Sequence, residues 1–324
     1  MSGATIPYHL RQNKAIDSNL FIEALARTGR WRNVSDYAYI GFGGPFLEDF
    51  KQIHGSLRIS DMTSLEVSDN TVARQRFNAP VSDIKLTTDS SAAFLMKHEF
   101  EKPSIVWFDY TAPGELATQL SETELLIRKL RPGDVARITV NCDPETLGRT
   151  SSGSLQSFRL EKAAERLVDY APADMNEDSV IRRNYSRTVL GALANASKRG
   201  MDTKPDAQLE PLACFTYADG QQMLSVTMAI VDKEELAVFS ESTRFAYWPH
   251  KATDWNDLRE ISVPQLSSRE RMSVEAMLPG NSDPGSIWDT LGFFVGDDRD
   301  EAVVLLGNFL KYYRLYPWYS RVVI

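Results

Sequence analysis

A doubly wound α/β sheet is the fold class the sequence predicts, and three observations predict it. Between residues 37 and 140, five short apolar runs alternate with helix-like stretches, and parallel strands need such crossovers to return along a sheet. The first run, Tyr37-Ala38-Tyr39-Ile40, meets Gly41-Phe42-Gly43-Gly44 and then a helix-like stretch over 46–54, which is how a βαβ unit opens. Two later runs, 212–217 and 222–231, flank Ala218-Asp219-Gly220. An Asp-Gly turn between strand-like runs is a hairpin signal, so this last pair is expected to be antiparallel.

Each element follows in order. Residues 10–31 carry Ile16, Leu20, Phe21, Ala24 and Leu25 at near-helical spacing and read as a leading helix. After the glycine turn, strands are expected at 62–67 and 84–87. The fourth strand, at 104–108, reads Ser-Ile-Val-Trp-Phe and ends at Asp109. A helix over 116–130 stops at Pro132-Gly133-Asp134, and 135–140 gives the fifth strand. Beyond residue 150 the rhythm changes to two helices, 155–170 and 179–199, the second with Asp178 as its N-cap and Gly200 as its stop. The carboxyl-terminal part reads as a smaller helical appendage. It has a capping box at Ser267-Ser268-Arg269-Glu270, a later helix over 301–313, and an aromatic group of Tyr312, Tyr313, Tyr316, Trp318 and Tyr319 expected to pack against the rest. The expected division is 1–238 for the main domain and 239–324 for the appendage.

Composition narrows the function classes. The 324 residues hold 36 Lys and Arg against 44 Asp and Glu, a net charge of −8. Phosphate-driven nucleic-acid binding usually needs a basic face, so indiscriminate binding of that kind is disfavoured. No apolar run is long enough to suggest a membrane span, and the amino end lacks the apolar core of a secretory signal. Cys142 and Cys214 form neither a disulfide framework nor a metal-ligand pair, which points to a reducing cytoplasm. The four histidines have no ligand-like spacing, so no metal is expected. A Gly-x-Ser-x-Gly hydrolase elbow is absent.

The candidate site residues sit at the carboxyl ends of the expected strands. Gly41, Gly43 and Gly44 let the chain turn sharply and approach a ligand closely. Position 46, where a dinucleotide fingerprint places its third glycine, is Phe46, which counts against NAD and FAD. Glu66, at the end of the second strand, can accept both hydroxyl hydrogens of a ribose. Asp89 follows the third strand and can take an adenine amino group, cap the next helix, or both. Asp109 and Tyr110 follow the most apolar strand, where open α/β sheets place their ligands, so Asp109 can orient a substrate or take its proton. Arg11, Asn13 and Lys14, on the leading segment, could reach a ligand carboxylate but read first as exposed solubilising residues.

This order resembles the class I S-adenosylmethionine (SAM) methyltransferases. These carry a glycine turn after strand one, an acid after strand two, acids after strands three and four, and a closing hairpin. The stretches YIGFGGPFLEDF, SLEVS and IVWFDYTAP are similar to a bacterial group described as putative O-methyltransferases. The resemblance implies a Rossmann-like, seven-stranded, mostly parallel sheet over about residues 10–235. It also implies SAM as cofactor and direct in-line methyl transfer to an acceptor that could be a small molecule, nucleic acid or protein. Gly41, Gly43 and Gly44 would line the methionine portion, Glu66 would hold the ribose, Asp89 the adenine edge, and Asp109 with Tyr110 would border the methyl group. One departure stands out: Tyr39 occupies the position, two residues before the first glycine, where that class usually has an acid. The competing expectations are a SAM- or nucleotide-binding module without catalysis and, further off, a nicotinamide-dependent oxidoreductase. A homodimer or protein partner would dock through the carboxyl-terminal region.

Overall fold

A computed structural model describes residues 10–280 and 283–317. Helix α1 (Gln12–Thr28) leads into β1 (Ala38–Gly41), and a short 3-10 turn at Gly44–Phe46 precedes α2 (Glu48–Leu57). Then come β2 (Asp61–Leu65), α3 (Asp69–Asn78), β3 (Ile84–Thr87), α4 (Ser91–Lys97), β4 (Ser104–Asp109), α5 (Leu116–Lys129) and β5 (Val135–Asn141). Next are α6 (Leu155–Leu167), α7 (Tyr185–Gly200), the hairpin β6 (Ala207–Ala218) and β7 (Gln222–Asp232), and α8 (Leu236–Thr243). The described chain ends through β8 (Arg259–Ile261), α9 (Ser268–Glu275), α10 (Pro284–Leu291) and α11 (Arg299–Tyr312).

The described strands form one sheet in the order β3-β2-β1-β4-β5-β7-β6-β8. Strands β1 to β5 pair in parallel, and β7 runs against both β5 and β6. This is the doubly wound, mostly parallel sheet with a closing hairpin that the sequence predicts. It holds eight strands rather than seven, because β8 adds in parallel outside β6. At three residues, two of them charged, β8 gives no apolar pattern from which to read it.

Helices cover both faces. Along β4, Ile105 and Trp107 face a core shared with Ile16 of α1, Phe50 of α2 and Phe309 of α11. Val106 and Phe108 face the opposite core, shared with Leu120 of α5 and Leu193 of α7. A strand buried on both faces reads as a continuous apolar run rather than an alternating one, which is why β4 was conspicuous in the sequence.

Three expectations shift. The helix expected at 179–199 is two pieces: Asn176, not Asp178, caps a short 3-10 turn (Glu177–Val180) in a capping box with Ser179, and α7 starts only at Tyr185. The Asn184 amide donates back to the Asp178 carbonyl, a local side-chain bond of the kind that competes with helix. Gly200 is the last residue of α7 rather than a stop beyond it. A Cβ there would lie 2.7 Å from both the Glu124 carbonyl oxygen and Ile127 Cβ, so glycine permits the close packing of α7 on α5. Strand β6 begins at Ala207, before the expected 212, because Pro211 sits where the register shifts against β7, and a bulge tolerates a proline.

The capping box at Ser267 and Glu270 forms as expected. Tyr312 and Tyr316 are buried, with the Tyr316 hydroxyl donating to the Pro264 carbonyl; Trp318 and Tyr319 lie outside the described residues. Among the described residues no helix is long and apolar enough to cross a membrane.

Candidate functional site

The sheet order reverses direction between β1 and β4, since β2 and β3 lie on one side of β1 and β4 and β5 on the other. Ligands of such sheets bind at the carboxyl ends of the strands beside this switch point. The carboxyl ends of β1, β2 and β4 open here into a cavity of about 460 Å³, within the ~300–1,000 Å³ range of small-molecule sites. Gly43, Gly44, Glu66, Asp89, Asp109 and Tyr110 all line it. Loops separated by up to 67 positions in the chain (110 − 43) are therefore brought to one place.

Gly41 stands apart from the lining. It ends β1, and a Cβ there would come within 3.0 Å of the Tyr39 hydroxyl and 3.2 Å of the Trp107 carbonyl oxygen. Gly43 has φ +67°, and its Cβ would lie 2.5 Å from Leu47 Cδ2, 2.8 Å from Phe50 Cε2 and 2.9 Å from Ser64 Oγ. Glycine is required there by conformation and by space. Gly44, φ +51°, has open space around its missing Cβ.

Glu66 lies just past β2. One of its oxygens accepts the Val67 and Ser68 backbone N–H groups at 2.8 and 3.0 Å, which fixes the carboxylate at the cavity wall. Asp89 accepts from the Thr87 hydroxyl at 2.8 Å and from Lys97 at 3.2 Å. These two bonds, Thr87 first, hold its carboxyl below the usual range. Asp89 does not cap α4: Ser90 does, accepting the Ala93 N–H at 3.1 Å. The Tyr110 hydroxyl donates to Glu122 at 2.5 Å. Burial, and then the neighbouring Glu122 carboxylate, push that hydroxyl's pKa well above the ordinary phenol value. The Phe42 ring lies parallel to Phe108 at 5.2 Å and edge-on to Tyr110 at 5.3 Å, so the glycine loop and the end of β4 share one aromatic floor.

The largest correction concerns α1. Asn13 and Lys14 are buried rather than exposed, and Arg11 lines the cavity. The β6–β7 turn is the cause: the Asp219 carboxylate accepts the backbone N–H groups of Asn13 at 3.3 Å and Lys14 at 2.8 Å. A carboxylate at a helix amino end satisfies unpaired donors and meets the positive end of the dipole. Lys14 then reaches Asp109, its Nζ lying 2.9 and 3.0 Å from the two carboxylate oxygens and 3.0 Å from the Tyr217 hydroxyl. Its ammonium also sits 4.8 Å from the centre of the Trp107 ring. Burial lowers the Lys14 pKa, and Asp109 opposes that shift. One turn on, Asp17 forms a buried ion pair with Arg137 of β5 at 2.5 Å and accepts from Ser225 at 2.6 Å. A chain of buried charge thus ties α1 to the sheet beneath the cavity.

Tyr39, which stands where an acid was expected, has its hydroxyl 2.6 Å from Asp49 of α2. Asp49 is buried, and burial raises its pKa to about 6, with the nearby Asp109 charge adding to the shift. A carboxylate thus reaches this region from ten residues downstream. The only sequence signal for it was an acid in the first turn of the helix after the glycine bend. Glu48, Glu115 and Glu122 also line the cavity and were not singled out from sequence. Among the described lining residues, six carboxylates (Glu48, Glu66, Asp89, Asp109, Glu115 and Glu122) face one guanidinium, Arg11.

The fold and the place of the cavity define a class I methyltransferase-like Rossmann protein. The chain belongs to the family described as "Putative O-methyltransferase", which matches residues 6–324. None of the curated proteins matches it. Among solved structures, Streptomyces venezuelae DesVI is similar at 19% identity over 42% of this chain and 55% of that one, with a TM-score of 0.32. The chain thus spans about half the length of that relative. N-methyltransferase NodS from Bradyrhizobium japonicum WM9 is similar at 11% identity over 67% of this chain and 97% of that one, TM-score 0.36. Trm1 from Pyrococcus horikoshii, solved with S-adenosyl-L-methionine, is similar at 10% identity over 70% and 57%, TM-score 0.44.

Proposed function

We propose that the cavity binds S-adenosylmethionine and that the chain transfers its methyl group to an acceptor by direct in-line displacement. The observation that carries this reading is the convergence of the glycine loop, Glu66, Asp89, Asp109 and Tyr110 on one cavity at the switch point. The carboxylates in its lining suit a ligand rich in hydrogen-bond donors, as a ribose with an amino group is; two of them, Asp89 and Asp109, already carry lysine partners, Lys97 and Lys14. The cofactor would supply an electrophilic methyl carbon. Glu66 would hold the ribose hydroxyls, Asp89 the adenine amino edge, and Gly43 and Gly44 the methionine portion, with Gly41 shaping the strand end. Asp109 and Tyr110 would border the transferring methyl.

For such a displacement the protein mainly positions the reactants and arranges charge. Asp109 is the candidate base for an oxygen acceptor. The Lys14 ammonium on both of its oxygens fixes the orientation of this carboxylate at the cavity wall. The reducing, cytoplasmic setting expected from the sequence belongs to this proposal; Cys142 and Cys214 are both buried. Exposed Phe293, Phe294 and Val304 support a docking role for the carboxyl-terminal region.

A second reading, a SAM-binding module without catalysis, is favoured by Tyr39 in the place of the usual acid. Methyl transfer from labelled SAM into cell-extract fractions separates the two. Label entering a fraction supports catalysis, and nuclease or protease treatment then sorts the acceptor. Binding with no labelled fraction supports the module.

A further inference from the structure

We infer that Gln75 of α3 is a positioning residue for the ligand-binding loop: it sets the direction of that loop's backbone donors without touching the ligand. The inference rests on the reading of the cavity as a SAM site. Gln75 is completely buried although its helix is otherwise mostly solvent-facing. Its amide nitrogen donates to the Phe42 carbonyl at 3.1 Å and to the Gly44 carbonyl at 2.8 Å. Its amide oxygen accepts from Ser64 Oγ at 3.2 Å. That hydroxyl also lies 3.1 Å from the Phe42 carbonyl. One turn further along α3, the Asn78 amide donates to the Pro45 carbonyl at 2.8 Å. Three carbonyls of the segment 42–45 are therefore drawn to the α3 side by side chains of α3 and β2.

A trans peptide unit is planar, with its C=O and N–H pointing in opposite directions. Holding the Phe42 carbonyl toward α3 turns the Gly43 N–H away from it, and holding the Pro45 carbonyl does the same for the Phe46 N–H. Gly43 and Phe46 both line the cavity, and the planar peptide leaves their N–H groups on the side away from the α3 contacts. Regular structure supplies only part of this arrangement: a 3-10 turn spans Gly44–Phe46 between β1 and α2, and the Gly44 N–H donates to the Phe42 carbonyl at 2.8 Å. Gly43 and Gly44 both have positive φ, and glycines lose the most conformational freedom on ordering. Side-chain bonds from outside such a loop add to its preorganisation. Gln75 and Asn78 provide this clamp, and Gln75 is the centre because it ties two carbonyls and Ser64 at once.

The test uses the full chain and S-adenosylhomocysteine as probe. Calorimetry gives its Kd for the wild type and for Gln75→Leu, Gln75→Glu and Asn78→Ala. Amide hydrogen exchange follows the peptide spanning the loop, and thermal unfolding checks that each variant is folded. Gln75→Leu removes all three bonds, whereas Gln75→Glu keeps the acceptor for Ser64 but sets an oxygen against two carbonyls. Both are expected to weaken binding about tenfold or more, with faster exchange confined to residues 42–47. Asn78→Ala is expected to do the same to a smaller degree. If Gln75→Leu does not fold, the Gln75→Glu and Asn78→Ala variants decide the matter. Wild-type binding with variants within about twofold of it would overturn the clamp and leave the cavity reading standing. No binding by the wild type would overturn both.

Discussion

Replacing Gly43 with alanine tests the glycine loop by geometry rather than by resemblance. The backbone there has φ +67°, and an L residue in the left-handed region costs about 1–2 kcal/mol. The new Cβ would also lie 2.5 Å from Leu47 Cδ2 and 2.8 Å from Phe50 Cε2. Leu47 and Phe50 are fully buried, so neither can swing aside cheaply, and overpacking of this kind costs about 1–3 kcal/mol more. The expected loss is therefore about 2–5 kcal/mol. Gly44→Ala is the internal control. It has φ +51° but nothing within 4 Å of the added atom, so only the conformational cost of about 1–2 kcal/mol applies. Guanidinium unfolding of both variants gives the two losses directly. Equal losses would refute the packing account of Gly43, and a negligible loss in both would refute the left-handed geometry as well.

Asp49 predicts a pH dependence. Its folded pKa of about 6 exceeds its ordinary 3.8 because burial disfavours the charge. The folded state therefore holds this proton more tightly, and the associated stability is present at low pH and lost as pH rises through about 6. Asp49→Asn removes that dependence, so unfolding at about pH 4 and about pH 8 should favour the variant at the higher pH by an extra ~2–3 kcal/mol; a difference that does not change with pH would contradict the assignment. Lys14→Met takes the ammonium from a mostly buried Asp109 carboxylate (side-chain exposures 2% and 16%) and is expected to cost about 3–5 kcal/mol in denaturant unfolding; a loss under about 1 kcal/mol would mean the pair behaves like a surface bridge.

The parts of this fold that were legible in the sequence are those whose signal is local. Strands β1, β4 and β5 are mostly apolar runs, β2 spans 61–65 against the expected 62–67, β3 was located to the residue, and the hairpin announced itself through Asp219-Gly220. Glycines and acids at strand ends could be nominated because strand ends are where such sheets converge. What escaped were consequences of distant contacts. Lys14 looks like any lysine on an amphipathic helix, and its burial is set by Asp109 and Tyr217, far along the chain. Asp219 read only as a turn residue, yet it also caps α1 across the whole domain. Gln75 offered no signal, since a glutamine on a polar helix is ordinarily exposed. Tyr39 was visible as a departure, but its partnership with Asp49 appears only once β1 and α2 are folded against each other.

The central claim is that this cavity is built for an adenosyl sulfonium cofactor, with Glu66 on its ribose. Titration of S-adenosylhomocysteine into the wild type and into Glu66→Ala, with NAD as comparison ligand, tests it most directly. Saturable wild-type binding at one site is expected, with the Kd raised about tenfold or more by Glu66→Ala and no binding of NAD. Absence of wild-type binding, an unchanged Kd in the variant, or binding of NAD instead would contradict it.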